Sequence, residues 1–371
     1  MPSPLRFTPT PIAMAWKGPG LPHETVAVPQ IHFHEGDALV EVEYATICGS
    51  DIHTTSGHRS AAPPLVLGHE QVGRVVAATP EAVLHDGTAL AVGDRVVWTV
   101  TVSCGQCQMC SRGLPQKCQK ILKYGHERIG RGWELNGGFA THVHVKAGSG
   151  ITKVPEEIPA AILAPVSCAT ATAAAALRAT TRHHSIAGAT VLVSGAGMVG
   201  LSIIAMAVTA GAKVVVLDPA AERRAMALKF GAVLALDPLA GKLGDALDSA
   251  NLAAPAAAFE ASGAPAAVKS AIAVLGIGGI AVLVGSVSPG PEVGIDPEAI
   301  VRGLKSITGV HNYTADDLRT AVDFISAHWN TMPFADLVGP GYFLHELDKA
   351  LEVAKTGADV RVGIRPEQAT D

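Results

Sequence analysis

Aromatic side chains are scarce in this chain of 371 residues, at 4%, and charged ones reach only 16%. With 48% apolar residues set against so little charge, the chain can bury enough surface to fold, which excludes disorder for most of its length. A basic excess is also missing. The net charge is −5 and no Lys/Arg run occurs, so nothing draws the chain to phosphate backbones or anionic membranes, and neither nucleic acid nor a membrane is expected as a partner. The opening segment, MPSPLRFTPTPIAMAWKGPG, has Pro at positions 2, 4, 9 and 11 and no apolar run of signal-peptide length, so a cytoplasmic location is expected. One uncharged stretch, 191–212, is long enough to cross a bilayer. It divides into strand, Gly-rich turn and helix, and the VVVL that follows Lys213 is a further strand, so it reads as a buried βαβ unit. No internal repeat is present.

The length points to two domains. Short β-like runs at 39–44, 71–77 and 94–100 alternate with Gly and Pro turns, which predicts a β-rich, barrel-like module. From about Thr170 the texture becomes Ala-rich and then alternates strand with helix, through VLVSGAG, LSIIAMAVTAGA, KVVVLD and ERRAMALKFGA. Further strands at 256–260, 280–284 and 306–309 complete about six parallel strands of a doubly wound sheet. Helices near 316–328 and 344–355 leave too little chain for a third domain, so the tail is expected to return to the first module.

Four of the six cysteines, Cys104, Cys107, Cys110 and Cys118, form a CxxCxxCx7C cluster. Four thiolates on so short a loop can close a tetrahedron on Zn²⁺, whereas disulfides between cysteines three apart are geometrically poor. Reduced, unliganded thiols and a zinc ribbon for nucleic acid or protein are the competing readings. The usual ribbon spacing is two CxxC pairs set further apart. A closed four-sulfur site has no open position and would be structural.

In SGAGMVG, Gly195, Gly197 and Gly200 make a GxGxxG that follows a β-run at 190–193 and opens a helix, with Asp218 ending the next strand. The glycines admit a pyrophosphate to a helix N-terminus. Asp218 would accept hydrogen bonds from ribose hydroxyls and repel a 2′-phosphate, which favours NAD over NADP. Arg223 and Arg224 follow closely and could soften that preference. Cys48 in ICGSDIH, His69 in LGHE and Cys168 in APVSCATAT each read, taken singly, as core filling.

Taken together, these segments resemble the zinc-dependent medium-chain alcohol dehydrogenase family, and the resemblance covers essentially the full chain. It implies an α/β fold class: a Rossmann doubly wound parallel sheet at 170–310, plus a β-rich GroES-like barrel catalytic domain at 1–169 with 311–371, carrying both zinc sites. It also implies two Zn²⁺ per subunit. One would be catalytic, on Cys48, His69 and Cys168 with a fourth position open; the other would be structural, on Cys104, Cys107, Cys110 and Cys118. Glu70 matches a position close behind the metal, and Asp51 matches the carboxylate that receives the N–H of the ligand histidine. On its own Asp51 reads as a turn residue.

The resemblance further implies that the metal acidifies a bound alcohol, that hydride passes to NAD, and that the proton leaves through Ser50, the nicotinamide ribose and His53. His53 is otherwise a surface histidine. Thr172, Val199 and Val284 match positions lining the cofactor, Arg223 one that helps bind its ribose, and Arg361 one that pairs with the pyrophosphate. Gly49 departs from the pattern, standing where some members carry Arg or His.

The loops expected around the pocket are polar, with Arg59, His126 and His311 as candidates to hold a small polar, even anionic, alcohol or aldehyde, or else to be solvated loop charges. KYGHE and GVHNYT also look like a branch linked with phosphonate catabolism. Three alternatives are a polyol or amino-alcohol dehydrogenase, many of which use Glu where this chain has Cys168, a zinc-free quinone reductase, and a non-catalytic zinc-binding scaffold. The family's habit implies a homodimer or homotetramer joined through sheet edges.

Overall fold

The computed structural model describes residues 4–181 and 185–366. The end of the predicted return segment, 367–371, lies outside them. Packing divides the chain into two compact units: the first runs through Cys168 and resumes with Thr314–Trp329 and from Phe334 on, and the second holds Ala169–Tyr313 and Asn330–Pro333.

The first unit is built on Ala38–Thr46, whose ALVEVEYAT alternation turns valines inward and glutamates outward. This strand pairs antiparallel with Gln71–Ala78, with His142–Val145 and, at its far end, with Arg361–Arg365. Arg95–Trp98 and Ile151–Lys153 extend one side of the sheet, and Val338–Phe343 closes the other. The strand expected at 94–100 is therefore shorter, because Asp94 turns the chain: its carboxylate accepts the Ala91 N–H at 3.0 Å and pairs with Lys153 at 2.6 Å. Between the faces lies a core of Val40, Leu67, Trp98, Tyr124, Phe139 and Ile364, closed by Leu347 and Leu351 from the helix Leu347–Lys355. A 3₁₀ turn at Leu344–Glu346 takes the place of the predicted first turn of that helix. The helix Ala315–His328 is capped by Thr314, whose hydroxyl accepts the Asp317 N–H while Asp317 accepts from the Thr314 N–H.

The second unit is a parallel sheet ordered Leu234–Leu236, Lys213–Leu217, Thr190–Ser194, Ala257–Glu260, Ile280–Leu283 and Ser306–Gly309. The order reverses beside Thr190–Ser194, which makes the carboxyl end of that strand the switch point where such sheets bind ligands. Its valines and leucines are fully buried, as expected of a strand covered on both faces. The uncharged stretch at 191–212 contains the 12-residue helix Met198–Thr209, and among the described residues no single helix is long and apolar enough to cross a membrane.

Candidate active site and metal clusters

In the first unit the ligand atoms of Cys48, His69 and Cys168 lie within 4.8 Å of one another, although the residues are drawn from three separate segments. Cys48 is the N-cap of the helix Gly49–Thr55, and the Asp51 carboxylate accepts its N–H at 2.9 Å. The other Asp51 oxygen accepts the Gly68 N–H at 3.2 Å and stands 3.5 Å from His69 Nδ1. One buried carboxylate thus ties the first two segments together and turns the other ring nitrogen, Nε2, toward the cluster, where Ser50 Oγ is 3.2 Å away. Asp51 is thus not a turn residue but the third residue of this helix, where its carboxylate caps the Cys48 N–H and stands beside the His69 ring.

Glu70, fully buried next to His69, is matched from the far end of the chain. Arg361 Nε and Nη2 donate to its two oxygens at 2.7 and 2.9 Å, and the Thr46 hydroxyl donates at 2.7 Å. Arg361 Nη2 also stands 3.9 Å from Cys48 Sγ. The fork of this arginine is engaged by Glu70, a contact across 291 positions that no local pattern announces. Cys48 is held well below an ordinary thiol by its contact with Cys168 and then by the charges of Arg361 and His69, against the effect of burial.

The fold also brings the KYGH turn onto this site. A Cβ on Gly125 would stand 2.5 Å from the Gly68 carbonyl oxygen, so only glycine allows the turn to lie against the GHE loop. The His126 ring then lies with its centroid 5.0 Å from that of His69, the two planes tilted by 54°, and its Nδ1 is 2.8 Å from the Tyr124 carbonyl oxygen. Burial, then Lys123, His69 and Arg59, depress its pKa well below that of an ordinary histidine. Lys123, which the sequence reading passed over, is partly buried beside it in the two-residue strand Leu122–Lys123. Arg59 is likewise half-buried, whereas His53 is exposed on the helix that carries Ser50. His311 is exposed and belongs to the second unit.

The four clustered cysteines make a second group, again within 4.8 Å. Their sulfurs stand 3.5 Å apart for Cys107 and Cys110, 3.8 Å for Cys107 and Cys118, and 3.5 Å for Cys104 and Cys118. A tetrahedron with Zn–S bonds of about 2.3 Å has an edge of about 3.8 Å. Backbone N–H groups of Cys104 and Lys120 point at Cys118 Sγ, and that of Gln119 at Cys107 Sγ. The N–H groups of Cys110 and Gln119 bring Cys107 down to about 6, while burial and the neighbouring thiols push Cys110 up to about 11. Such crowding of like groups is relieved by a dication, and all six cysteines are free. Both donor sets, four sulfurs and two sulfurs with one imidazole, suit zinc.

In the second unit the Gly-rich turn has the predicted form. Gly195 adopts φ +95° and its N–H donates to the Leu217 carbonyl at 2.8 Å; a Cβ on Gly200 would collide with the Gly195 oxygen; and Gly197, the helix N-cap, faces open space. Asp218 ends the neighbouring strand, its carboxylate accepting the N–H groups of Ala196 and Ala220 at 2.8 and 2.9 Å. Val199, Thr172 and Arg223 are partly exposed, whereas Val284 is buried, with its N–H bonded to the Glu260 carbonyl. Arg224 turns back onto the carbonyls of Asp218 and Pro219, both at 2.8 Å. Sequence reading missed Glu260. This buried carboxylate accepts from Ser262 N–H, Ser262 hydroxyl, Gly263 N–H and Ser286 hydroxyl, and it pins the loops at the carboxyl edge of the sheet. A glutamate ending an apolar strand gave the only hint.

Comparison with known proteins agrees with this architecture. Residues 34–156 match the alcohol dehydrogenase GroES-like domain family, and 198–327 match the zinc-binding dehydrogenase family. The chain is 30% identical to the geraniol dehydrogenase of Castellaniella defragrans, over 90% of this chain and 91% of that one. It is 32% identical to the L-threonine 3-dehydrogenase of Streptomyces avermitilis, over 76% and 79%. The crystal structure of an alcohol dehydrogenase from Thermotoga maritima superposes with a TM-score of 0.90 at 27% identity, covering 96% of this chain and all of that one. Matches of this extent, across both units, establish the chain as an oxidoreductase of the zinc-dependent medium-chain dehydrogenase family.

Proposed function

We propose that the chain is a zinc-dependent, NAD-linked alcohol dehydrogenase that interconverts a small polar alcohol and its carbonyl compound. The observation that carries this reading is the convergence of Cys48, His69 and Cys168, with Ser50 Oγ 3.2 Å from the imidazole nitrogen turned toward them. Three protein donors suit a catalytic zinc, which keeps a fourth position for water or substrate, whereas the four-thiol lobe suits a second, structural one. When bound, the catalytic zinc supplies Lewis acidity that eases loss of the alcohol proton, and the nicotinamide supplies a hydride acceptor.

The chain's own residues do the rest. Asp51 fixes the His69 ring, and the Glu70–Arg361 pair keeps its charges balanced behind Cys48. Ser50 Oγ stands where a proton leaving the substrate can be taken up. His53 lies three residues further along the same helix, on the face neighbouring Ser50, and is exposed, so it can exchange that proton with water. Asp218, with two of its acceptor sites already on backbone N–H groups, stands at the end of the strand, a placement that favours NAD over NADP. Arg223 is assigned to the adenosine ribose. Thr172, Val199 and Val284 are assigned to the cofactor wall.

Six free cysteines fit a reducing cytoplasm. The edge strand Ser306–Gly309 and the exposed Val301, Leu304 and Ile307 beside it support a homo-oligomer joined at that edge.

The test is zinc per chain together with NAD⁺ reduction over a panel of alcohols, before and after mild chelation. Two zincs, with turnover lost as one is removed, support the reading. One tightly held zinc and no metal-dependent turnover would favour a non-catalytic zinc-binding scaffold.

A further inference from the structure

The dehydrogenase reading leaves two cations beside its site unexplained. Lys123 is partly buried in the strand Leu122–Lys123, which pairs with Thr101–Val102, and the next residue, Tyr124, is fully buried in the core. The ammonium group is near enough to Cys48, Cys168 and Asp51 to feel their charges, and near enough to Arg59 to be repelled by it. Among the described residues neither the Lys123 ammonium nor the Arg59 guanidinium has a hydrogen-bond or ion-pair partner. The nearby Glu127 carboxylate accepts the Lys123 backbone N–H at 3.1 Å. Asp51 is occupied by two backbone N–H groups and His69, and Glu70 by Arg361. The thiolates of Cys48 and Cys168 are those a bound zinc neutralises, so they are not standing counter-ions.

Two cations at the border of one half-buried site are unfavourable unless something negative covers them, because Asp51, the carboxylate that acts on Lys123, is already taken by its own partners. Both belong to segments that the fold ties down: Arg59 N–H donates to the His53 carbonyl, and Ile129 N–H donates to the Pro64 carbonyl, linking the loop that carries Arg59 to the one that carries Lys123. The pair is therefore a built feature at the border of the metal cluster rather than a chance meeting of solvated side chains.

We propose that Arg59 and Lys123 form an anion-binding subsite beside Cys48, His69 and Cys168, so that the substrate is a small alcohol or aldehyde carrying an anionic oxygen head group, a carboxylate or a phosphate. The proposal rests on the dehydrogenase reading for the word substrate, but the anion site can be tested without it. Arg59 offers a planar fork and Lys123 a point charge, a combination that clamps an oxyanion and directs the remainder of the molecule toward the metal cluster.

The experiment compares 4-hydroxybutyrate with 1-butanol, and glycerol 3-phosphate with glycerol, on zinc-loaded wild type, Arg59→Gln, Lys123→Gln and the charge-retaining Lys123→Arg. The ratio of kcat/KM for the anionic over the neutral member should favour the anion in at least one pair, and which pair responds tells carboxylate from phosphate. Each glutamine variant should lower that ratio by about tenfold to a hundredfold, the range expected for a lost charge-assisted hydrogen bond. Lys123→Arg should largely keep it. Titration calorimetry with the same two anions on the same proteins reads the subsite directly. Binding to wild type that is lost in both glutamine variants supports the subsite even if none of the four compounds is oxidised, an outcome that would instead count against the dehydrogenase reading. A preference for the neutral members with no anion binding to wild type, or a ratio unchanged by both glutamine substitutions, overturns the proposal.

Discussion

The two cysteine-containing clusters of the first unit are built in opposite ways. Cys104, Cys107, Cys110 and Cys118 lie on one short lobe, and the partners that orient their sulfurs are backbone N–H groups of the same lobe. Cys48, His69 and Cys168 come from three distant segments and are oriented by side chains, Asp51 on one side and the Glu70–Arg361 pair on the other. A local cluster needs only its loop to fold. A distributed one depends on the whole sheet, because Arg361 begins the strand Arg361–Arg365, which pairs with Ala38–Thr46 just before Cys48. The first design suits a staple; the second suits a site that must keep an open position and a controlled charge.

Substitutions of single cysteines should separate the two most sharply. Cys48→Ser should reduce NAD⁺ reduction to background and remove one metal equivalent while the thermal midpoint changes little. Cys110→Ser should also remove one equivalent but lower the midpoint, since structural zinc contributes folding free energy directly. Equal effects of the two on stability and on turnover would break the contrast.

Next in size is Arg361→Met, which leaves the fully buried Glu70 carboxylate without its fork. Breaking a buried pair on one side costs about 3–5 kcal/mol. Urea unfolding should show a loss of that order in the variant, with much of it restored in Glu70→Gln/Arg361→Met.

Smaller again, Asp51→Asn should weaken metal binding at the three-ligand site by about tenfold to a hundredfold, the usual effect of losing a carboxylate behind a ligand histidine. Competition with a chromogenic chelator measures this, and the four-thiol equivalent should be unaffected. The smallest effect is expected on the lobe itself: Lys120→Ala, an exposed change whose backbone N–H still reaches Cys118 Sγ, should shift stability by less than about 0.5 kcal/mol. A large loss there would show that the lobe, too, depends on side-chain charge.

The same contrast explains how much could be read in advance. The four-thiol spacing, the GxGxxG with Asp218 and the alternating strands are local patterns, so they were legible at once; five of the six strands of the doubly wound sheet fell within a residue of their predicted bounds, whereas the short edge strand Leu234–Leu236 was not placed. The strand at 94–100 was overextended because Asp94 and its turn interrupt an otherwise β-like run. The pairing of Arg361 with Glu70 was not legible, because sequence shows the two charges but not that the fold brings them together across 291 positions. Glu260 and Lys123 were passed over because a single charged residue in an apolar stretch reveals nothing of its burial or neighbours.

What the sequence determined by itself is the chemistry available: which residues can bind a soft metal, where backbone can approach a phosphate, and which strands are covered on both faces. These follow from residue type and spacing over a few turns of chain. Tertiary structure alone decided which charges come near one another: Asp51 and His69, Arg361 and Glu70, Lys123 and Arg59. The physical reason is that electrostatic partnership depends on distance in space and on desolvation, and neither is encoded in separation along the chain.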